Sequence, residues 1–470
     1  MSAQTVRTRD LLRQAITSSI PPEPSQYDQV QPQFVYVPGS HLRALDPNAM
    51  LVEGIRGAGK SFWWFALQSD TLRPHLVDQP ARDSRALVVS AGFGQGTRPE
   101  WPEKDELEQL LAEGIKPRLI WKMVVLRHVA PDALPGGTWA EAARWVSQNP
   151  PRVAVAMREA DTRLQGLGKQ HLVLFDALDR TADLRLTRMQ LLRGLLELVL
   201  ELRAYSSIRA KVFVRPDMLE DPEVKAFPDA SKVLASRVPL DWSGVDLYAL
   251  LFTYLGNGDD DEAAACFRGL SRLTWRRMEG RYVLPVELRT DWRRQEQVFT
   301  QLAGPYMGTD RRRGKTYSWV LNHLADAREK VSPRSFLAAI RRAAEGHEVP
   351  NQLHPLHWSG LHEGVRKASE YRVTEISEDL DWAHDAMSLL KGLTVPCPAS
   401  TLLREWKKGK LIPPLAREAN RPATQNDLEE MLDQLANAGV LEKLGDGRIN
   451  IPDVYRVGFG MRRLGGFRPS

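Results

Sequence analysis

Short apolar runs alternate with longer amphipathic stretches from about residue 37 to residue 245. The apolar runs are typical of buried strands and lie at Met50–Glu53, Ala86–Ser90, His171–Phe175, Lys211–Val214 and Arg237–Leu240. The stretches between these runs, such as Leu184–Leu202, have the apolar spacing of helices. Buried strands that are separated by helices predict an α/β fold with a parallel sheet and right-handed crossovers.

The strand pattern stops after residue 245, and residues 246–345 are predicted to form a small helical lid. Ser332 suits the N-cap of its last helix, and Pro333 suits the first turn of that helix. The helices of this lid are expected at Asp246–Leu255, Asp261–Arg272, Asp291–Leu302, Tyr317–Lys330 and Ser332–Ala344.

The C-terminal part of the chain predicts a winged helix at residues 376–460, after a connector at residues 346–375. Gly439 is expected to end the third helix at its C′ position. Val440–Lys443 and Arg448–Ile451 indicate a β-hairpin around a glycine-rich turn at 445–447. The three helices before this hairpin are expected at Glu378–Leu390, Pro398–Lys408 and Asn426–Ala438.

The two ends of the chain carry weaker patterns. Residues 1–36 are expected to be an N-terminal extension with a short helix at Thr8–Ser18. A segment rich in proline and glutamine, Ile20–Gln33, follows it and predicts an extended strap. Residues 461–470 are expected to be a tail.

Composition and charge restrict the function classes. A length of 470 residues suggests about three domains. No window offers the roughly 20 apolar residues of a membrane helix, so we expect no membrane segment. With only Cys266 and Cys397, neither a disulfide framework nor a cysteine-based zinc site is expected, and a cytoplasmic location is the default. The formal charge of +5 permits nucleic-acid binding without arguing for it.

One motif points to phosphate chemistry. The segment Gly54-Ile55-Arg56-Gly57-Ala58-Gly59-Lys60-Ser61 follows an apolar strand, and Phe62–Gln68 can form the helix after it. Glycines allow successive N–H groups to turn inward around a phosphate, and the helix adds its positive N-terminal end. Lys60 is expected to reach the β- and γ-phosphates, and Ser61 to ligate Mg²⁺. The sequence therefore predicts a P-loop that binds ATP through residues 54 and 56–62.

A second motif supplies carboxylates. His171–Phe175 predicts a strand that ends in Asp176, which is expected to hold Mg²⁺ directly or through water. Asp179 follows close behind and is a candidate for orienting or deprotonating the attacking water. The alternative for Asp179 is an acidic residue that merely favours the start of a helix.

Together, the P-loop and the segment Leu174-Phe175-Asp176-Ala177-Leu178-Asp179-Arg180 resemble the STAND-type branch of AAA+-related P-loop ATPases. Lys211–Asp217 is similar to the strand of that family whose polar tip senses the γ-phosphate, and Arg237–Trp242 is similar to its last core strand. The order of lid and winged helix is also similar to that of origin-recognition ATPases. This resemblance implies ATP hydrolysis, with Lys60, Asp176 and Asp179 as catalytic residues.

Three arginines are further candidates for nucleotide contacts. Arg215 is either the sensor at a strand tip or a surface partner of Asp217 or Asp221. Arg334 resembles the lid arginine that touches the γ-phosphate, and the alternative is a solvated residue at a helix start. Arg56 could face a neighbouring subunit, but we expect its side chain to be exposed to solvent.

Other clusters have ordinary interpretations. His347, His354, His357 and His362 are expected to lie in a polar connector rather than around a metal. Trp63 and Trp64 are expected to pack in the core. The basic stretch Arg311, Arg312, Arg313 and Lys315 is either a solvated loop or a phosphate contact.

Two functions are consistent with these features. The first is an ATP-binding and hydrolysing switch that self-associates or engages a protein partner, and the resemblance adds a role in bacterial antiviral defence. The alternative is a DNA-associated ATPase that uses its winged helix on DNA. Acidic residues along Asn426–Ala438 disfavour that helix as a DNA reader, whereas Lys407, Lys408 and Lys410 could still contact the DNA backbone.

Overall fold

The computed structural model describes residues 2–22, 30–76, 86–346, 352–418 and 421–463. The chain divides into two units. The sheet unit contains Val37–Ile55 and Gly59–Asp241. The helical unit contains Met1–Tyr36, Arg56–Ala58 and Trp242–Ser470, so that three residues of the glycine-rich loop belong to it. Within the described residues, no helix is long and apolar enough to cross a membrane.

A first helix, α1 (Ala3–Ser19), belongs to the helical unit. The elements of the sheet unit follow it in the chain: α2 (Leu42–Leu45), β1 (Leu51–Glu53), α3 (Lys60–Gln68), β2 (Leu87–Phe93), α4 (Lys104–Ala112), α5 (Pro117–Val129), α6 (Trp139–Gln148), α7 (Pro150–Gly166), β3 (Gln170–Phe175), α8 (Arg185–Glu201), β4 (Ile208–Val214), α9 (Pro216–Glu220), α10 (Pro222–Lys225), α11 (Ala230–Leu234) and β5 (Val238–Pro239).

The central sheet has the order β2-β3-β4-β1-β5, and all its neighbouring strands are parallel. The five expected strands are therefore confirmed, although β5 is shorter than predicted. Pro239 lacks the N–H that a ladder needs, so β5 is confined to the sheet edge. β4 lies between β1 and β3, and the carboxyl ends of all three strands lie at one edge of the sheet.

Two helices that pack closely together hold β3 in place. A Cβ atom on Gly194 of α8 would lie 2.6 Å from the backbone nitrogen of Arg118 in α5, so only glycine permits this approach. Trp121 of α5 donates its indole N–H to the Leu191 carbonyl at 2.8 Å and packs edge-on against Phe175. This packing fixes the end of β3, from which Asp176 projects.

A buried lysine ties the segment before β1 to the sheet. Lys211 of β4 donates hydrogen bonds from its amine to the carbonyls of Ala44, at 2.6 Å, and Asp46, at 2.8 Å, and it also contacts the Ala49 carbonyl. Burial lowers the pKa of Lys211 from its usual 10.5 to about 7. The apolar run predicted around this residue therefore contains a buried amine that is hydrogen-bonded to three carbonyls, rather than a purely apolar strand.

The remaining elements belong to the helical unit: α12 (Gly244–Gly256), α13 (Asp261–Ser271), β6 (Arg276–Met278), β7 (Arg281–Val283), α14 (Val286–Thr290), α15 (Trp292–Ala303), α16 (Thr316–Leu324), α17 (Pro333–Glu345), α18 (Trp358–Asp379), α19 (Ala383–Ser388), β8 (Thr394–Val395), β9 (Cys397–Pro398), α20 (Ala399–Lys408), α21 (Pro414–Glu418), α22 (Gln425–Asn437), β10 (Glu442–Lys443), β11 (Arg448–Asn450), α23 (Asp453–Arg456) and β12 (Arg462–Arg463).

The expected connector at residues 346–375 is wrong, because most of it lies in the 22-residue helix α18. A Cβ atom on Gly360 would lie 2.7 Å from the Ala343 carbonyl oxygen, and one on Gly364 would lie 2.1 Å from that of Ala339. The two glycines therefore let α18 pack directly on the backbone of α17. This helix is part of the core of its unit and not a link between domains.

The N-terminal segment is also more than an extension. Leu12, Ala15 and Ile16 of α1 are buried in the helical unit, where α1 packs against α13 and α17. Phe34 stacks on Tyr254 with ring centroids 4.9 Å apart. Part of the predicted extended strap, residues 23–29, lies outside the described residues.

The winged helix is present near the C-terminus. Helices α20 and α22 and the hairpin β10–β11 form it, and β9 pairs with β11 to complete its small sheet. Gly439 follows α22 with a left-handed φ of 75°, as its predicted C′ position requires. The first predicted helix of this region is instead divided between the end of α18 and the short α19.

Candidate nucleotide-binding site

The glycine-rich loop connects β1 to α3, as its sequence predicts. Gly57 and Gly59 have left-handed φ angles of 75° and 99°, which other residues adopt only with strain. Gly59 is the N-cap of α3, so the free N–H groups of this helix begin where the loop ends. The local geometry is therefore that of an anion-binding turn before a helix.

The amine of Lys60 folds back over this loop. It donates hydrogen bonds to the carbonyl oxygens of Gly54, at 2.8 Å, and Ile55, at 3.0 Å. A phosphate bound by the loop would compete with these two carbonyls for the amine. The position of Lys60 above the loop thus suits a point charge that holds phosphate.

Ser61 and Asp176 are brought together from distant parts of the sequence. The Ser61 hydroxyl donates to Asp176 Oδ2 at 2.6 Å. Burial raises the pKa of Asp176 above its usual 3.8, although the Ser61 hydroxyl and the charge of Lys60 oppose this change. Two adjacent hard oxygen ligands fit Mg²⁺, which prefers carboxylates and hydroxyls at such positions. The sheet unit is a P-loop NTPase core.

Strain marks the chain directly after Asp176 in this P-loop core. Ala177 has a φ of 54°, and the left-handed conformation costs a residue other than glycine about 1–2 kcal/mol. Leu178–Arg180 then forms a single 3₁₀ turn that contains Asp179. The turn directs the chain away from the strand while Asp176 stays buried below it.

Asp179 and Arg215 lie at the ends of neighbouring strands. The Arg215 guanidinium pairs with Asp217 through bonds of 3.1 Å and 3.0 Å, and its Nη1 lies 3.7 Å from Asp179 Oδ2. Both alternatives for Arg215 thus have a physical basis, because it makes the surface pair with Asp217 while it also approaches the candidate catalytic acid.

Arg56 is not solvent-exposed, contrary to the expectation from its place in the loop. Its guanidinium binds the carboxylates of Glu378 and Asp379 at the end of α18. Arg372, about two turns earlier in α18, donates to the Arg56 carbonyl oxygen at 3.3 Å. The expectation failed because α18 was not recognised as a helix, and its acidic end was instead assigned to the start of the helix expected at Glu378–Leu390.

Arg334 is partly buried and makes an ion pair with the same helix. Its Nη1 lies 2.8 Å from Glu375 Oε1, while Arg372 Nη1 lies 2.8 Å from the other carboxylate oxygen. Burial alone would raise the pKa of Glu375, but the guanidinium groups of Arg372, Arg334 and Arg56 lower it below the usual 4.5. Glu375 is therefore a charged residue in the core that holds the candidate sensor arginine.

Two further side chains hold residues 56–58 within the helical unit. Ser332 donates its hydroxyl to the Gly57 carbonyl oxygen at 3.2 Å, and a Cβ atom on Gly57 would lie 2.3 Å from that hydroxyl. Trp242 donates its indole N–H to the Ala58 carbonyl oxygen at 2.8 Å. Sequence reasoning missed these two residues, together with Arg372, Glu375, Glu378 and Asp379. Only Ser332 carried a signal, as an N-cap at the start of the lid helix.

The predicted histidine cluster and the tryptophan pair have structural roles in the part of the chain that the structure describes. His357 is the N-cap of α18, and burial lowers the pKa of His362 to about 4. His347 lies outside the described residues, which contain no group of three potential metal ligands. Trp63 and Trp64 are buried, as expected for core residues.

Comparisons with known proteins concern the fold. No protein-family model and no curated protein matches this chain. A Walker-type ATPase of Pyrococcus abyssi matches at 12% identity, over 91% of this chain and 99% of that chain, with a TM-score of 0.40. The ORC2 protein of Aeropyrum pernix, in ADPNP–ADP complexes, matches at 12% identity over 90% and 94%, with a TM-score of 0.41. Cdc6p from Pyrobaculum aerophilum matches at 12% identity over 91% and 95%, with a TM-score of 0.30.

The P-loop NTPase fold itself rests on this chain's own geometry. The parallel sheet places the P-loop strand beside β4, and the hydroxyl after the P-loop lysine meets the carboxylate at the end of β3. The predicted fold class is therefore confirmed.

Proposed function

We propose that the protein is an ATPase switch in which bound nucleotide controls the hold of the helical unit on residues 56–58. One observation carries this proposal. Arg56 in the P-loop and Arg334 at the start of α17 are both held by carboxylates in the last turns of α18. Phosphates of ATP bring negative charge to the same loop, and so they compete with these carboxylates for the two guanidinium groups.

The P-loop core supplies the chemistry in this proposal. The loop amides and Lys60 bind the phosphates, and Ser61 and Asp176 would hold Mg²⁺, which neutralises charge on the phosphates. Asp179 orients the attacking water from the turn after β3, and the positive charge of Arg215 lies beside that carboxylate. These roles are supported by the close approach of Ser61 to Asp176 and of Arg215 to Asp179.

The helical unit converts occupancy into a change of contacts. Glu375 releases Arg334 to the γ-phosphate of ATP and recovers it when ADP remains. Because Arg372 also contacts the hydroxyl of Tyr455 in α23, a shift at Glu375 reaches the packing beside the winged helix. A ligand biases two states only through contacts that differ between them, and the γ-phosphate provides this difference.

We further propose that the change of contacts at Glu375 and Arg334 controls self-association or the binding of a protein partner. ATPases of this kind complete their sites with an arginine from a neighbour, which the resemblance implies here also. A role in bacterial antiviral defence rests on the resemblance alone.

Calorimetry and sizing test the proposal. Lys60→Ala should abolish tight binding of ATP·Mg²⁺, whereas Lys169→Ala, which changes an exposed lysine of the same unit, should not. Wild-type protein should change its sedimentation or partner binding with a non-hydrolysable ATP analogue and not with ADP. Equal ATP affinity in the Lys60→Ala variant would refute the nucleotide site, and identical behaviour in both nucleotides would refute the switch.

The alternative of DNA binding through the winged helix has less support. Three of its cations are already paired with acids of the same region: Arg421 with Asp427, Lys443 with Asp433 and Arg448 with Asp446. These pairs reduce the charge that a DNA backbone would attract. Lys407, Lys408 and Lys410 remain the predicted backbone contacts of this region, and a DNA-associated ATPase would bind more tightly with a second cationic surface.

A further inference from the structure

The chain concentrates its positive charge in a short segment of the helical unit. Residues 268–294 contain eight arginines and no lysine, with three acidic residues among them. Their net charge of +5 equals the formal charge of the whole chain, so the rest of the protein is balanced. The arginines surround the hairpin β6–β7, which sequence reasoning did not predict.

This hairpin is anchored firmly at one side. Its turn, Glu279–Gly280, has two left-handed residues, with φ angles of 49° and 81°, which suits the twist of a tight two-residue hairpin. Asn257 at the end of α12 makes two hydrogen bonds to the backbone of Tyr282, at 2.7 Å and 2.9 Å. The Arg268 guanidinium covers the Tyr282 ring at 3.8 Å. The ribbon is therefore a fixed projection of the helical unit.

The other side of the ribbon is open. All three residues of β6, Arg276, Arg277 and Met278, are exposed. Neighbouring residues of a strand point to opposite faces. Arg277 pairs with Tyr282 and lies 5.8 Å from the centre of its ring, whereas Arg276 and Met278 point to the opposite face. A two-stranded ribbon fits the major groove of B-DNA, where cations on its two faces meet the phosphates of both strands.

Two more arginines extend this surface. Arg272 follows α13 directly, and Arg293 lies in the first turn of α15, where it covers the half-exposed ring of Trp292 at 5.1 Å. Arg294 joins this turn to the end of α13 through a 2.9 Å bond to the Ser271 carbonyl. We call Arg272, Arg276, Arg277 and Arg293, with Met278 and Trp292, the arginine surface.

The arginine surface differs from the winged helix in its pairing. Within the described ranges, none of its four arginines makes an ion pair with a carboxylate, whereas the cations of the winged helix named above do. Guanidinium groups without a carboxylate partner keep their positive charge available to phosphate, and their planar fork matches phosphate oxygens with two hydrogen bonds. The charge, the ribbon and the pairing all favour a polyanion with regularly spaced phosphates.

We propose that the arginine surface binds duplex DNA, with the β6–β7 ribbon in the major groove and the phosphate backbone as the main contact. This site lies outside the nucleotide site and does not depend on hydrolysis. It places DNA on the lid rather than on the winged helix. Because phosphate contacts dominate, we expect little sequence preference and strong salt dependence.

The test is fluorescence anisotropy with a labelled duplex of mixed sequence, measured on the full chain over a range of salt concentrations. Arg276→Ala with Arg277→Ala should weaken binding at least tenfold at low salt. Removing two phosphate contacts should also make the slope of log K against log salt shallower by about 1.8. Arg152→Ala with Arg158→Ala is the matched control, since it removes the same charge from exposed positions of α7 and should change little.

Other outcomes would overturn the proposal. The first is that the wild-type chain does not bind the duplex at low salt. The second is that both double variants lose the same DNA affinity. The third is that polyglutamate of equal charge competes for the protein as well as unlabelled DNA does. The last result would indicate an acidic protein as the partner. Lys60→Ala should bind DNA like the wild type, so failure here and failure of the proposed ATPase function remain distinguishable.

Discussion

Glu375 offers the sharpest test of the proposed switch. Glu375→Gln keeps the shape of the side chain but removes the charge that holds Arg334 at 2.8 Å. A hydrogen bond to a charged group contributes about 1.5–3 kcal/mol. If the γ-phosphate must displace this carboxylate, its loss should raise ATP affinity by about 10- to 150-fold, because about 1.4 kcal/mol corresponds to a tenfold change. ADP affinity should stay nearly unchanged, since ADP does not reach Arg334.

The same substitution should lower stability. Arg372 is buried and would lose its carboxylate partner, and breaking a buried pair on one side typically costs about 3–5 kcal/mol. Chemical denaturation measures this loss, and an added ATP analogue should recover part of it. The variant therefore separates the two roles of Glu375, because only the affinity ratio reports on the switch.

Titration calorimetry with ADP and a non-hydrolysable ATP analogue is the assay. Glu370→Gln is the control, since Glu370 lies in the same helix and pairs with exposed Lys367. Arg334→Gln should have the opposite effect to Glu375→Gln and lower the preference for ATP over ADP. The reasoning is refuted if Glu375→Gln changes both affinities equally, or if Arg334→Gln leaves their ratio unchanged.

Asp179→Asn should retain ATP affinity and slow hydrolysis in a steady-state phosphate-release assay, because water positioning acts mainly in the transition state; a wild-type rate would remove Asp179 from the catalytic residues. The unfolding free energy should rise between pH 7 and 10.5, by up to about 1.4 kcal/mol per pH unit, because Lys211 holds its proton less tightly when folded than when unfolded. Denaturation curves of Lys211→Met should lack this slope. Gly364→Ala should destabilise by about 1–3 kcal/mol, since the new Cβ meets the Ala339 carbonyl, whereas Gly269→Ala in open space should stabilise slightly; equal melting points would contradict the close packing of α17 and α18.

Local constraints made the core of this fold predictable. The P-loop needs glycines, an apolar strand and a helix in one short segment, so Gly57, Lys60 and Ser61 could be placed from sequence. Asp176 follows five buried residues of β3, and a carboxylate at the end of a buried strand is typical of a Mg²⁺ ligand in a P-loop protein. The P-loop and the end of β3 were predictable because the residues that determine their backbone geometry are close together in the sequence.

Tertiary contacts determined the features that were missed. Helix α18 contains Gly360 and Gly364, and glycine weakens the sequence pattern of a helix. Both positions require glycine because the backbone of α17 lies directly against them. The predicted domain boundary at residue 376 falls inside this helix, so cutting there should expose its apolar face. The β6–β7 hairpin has no alternation of apolar and polar residues, because both faces of β6 are exposed. Such elements follow from the packing around them and leave little trace in a single sequence.

The hydrogen bond between Trp242 and Ala58 has a spectroscopic consequence. An indole whose N–H is bound to a P-loop carbonyl emits differently when that carbonyl moves or turns to another partner. Nucleotide binding should therefore shift the emission of this side chain, and the difference between wild type and Trp242→Phe isolates its signal from those of the other tryptophans. The protein carries its own optical reporter of loop rearrangement, which stopped-flow mixing can follow in real time without any added label.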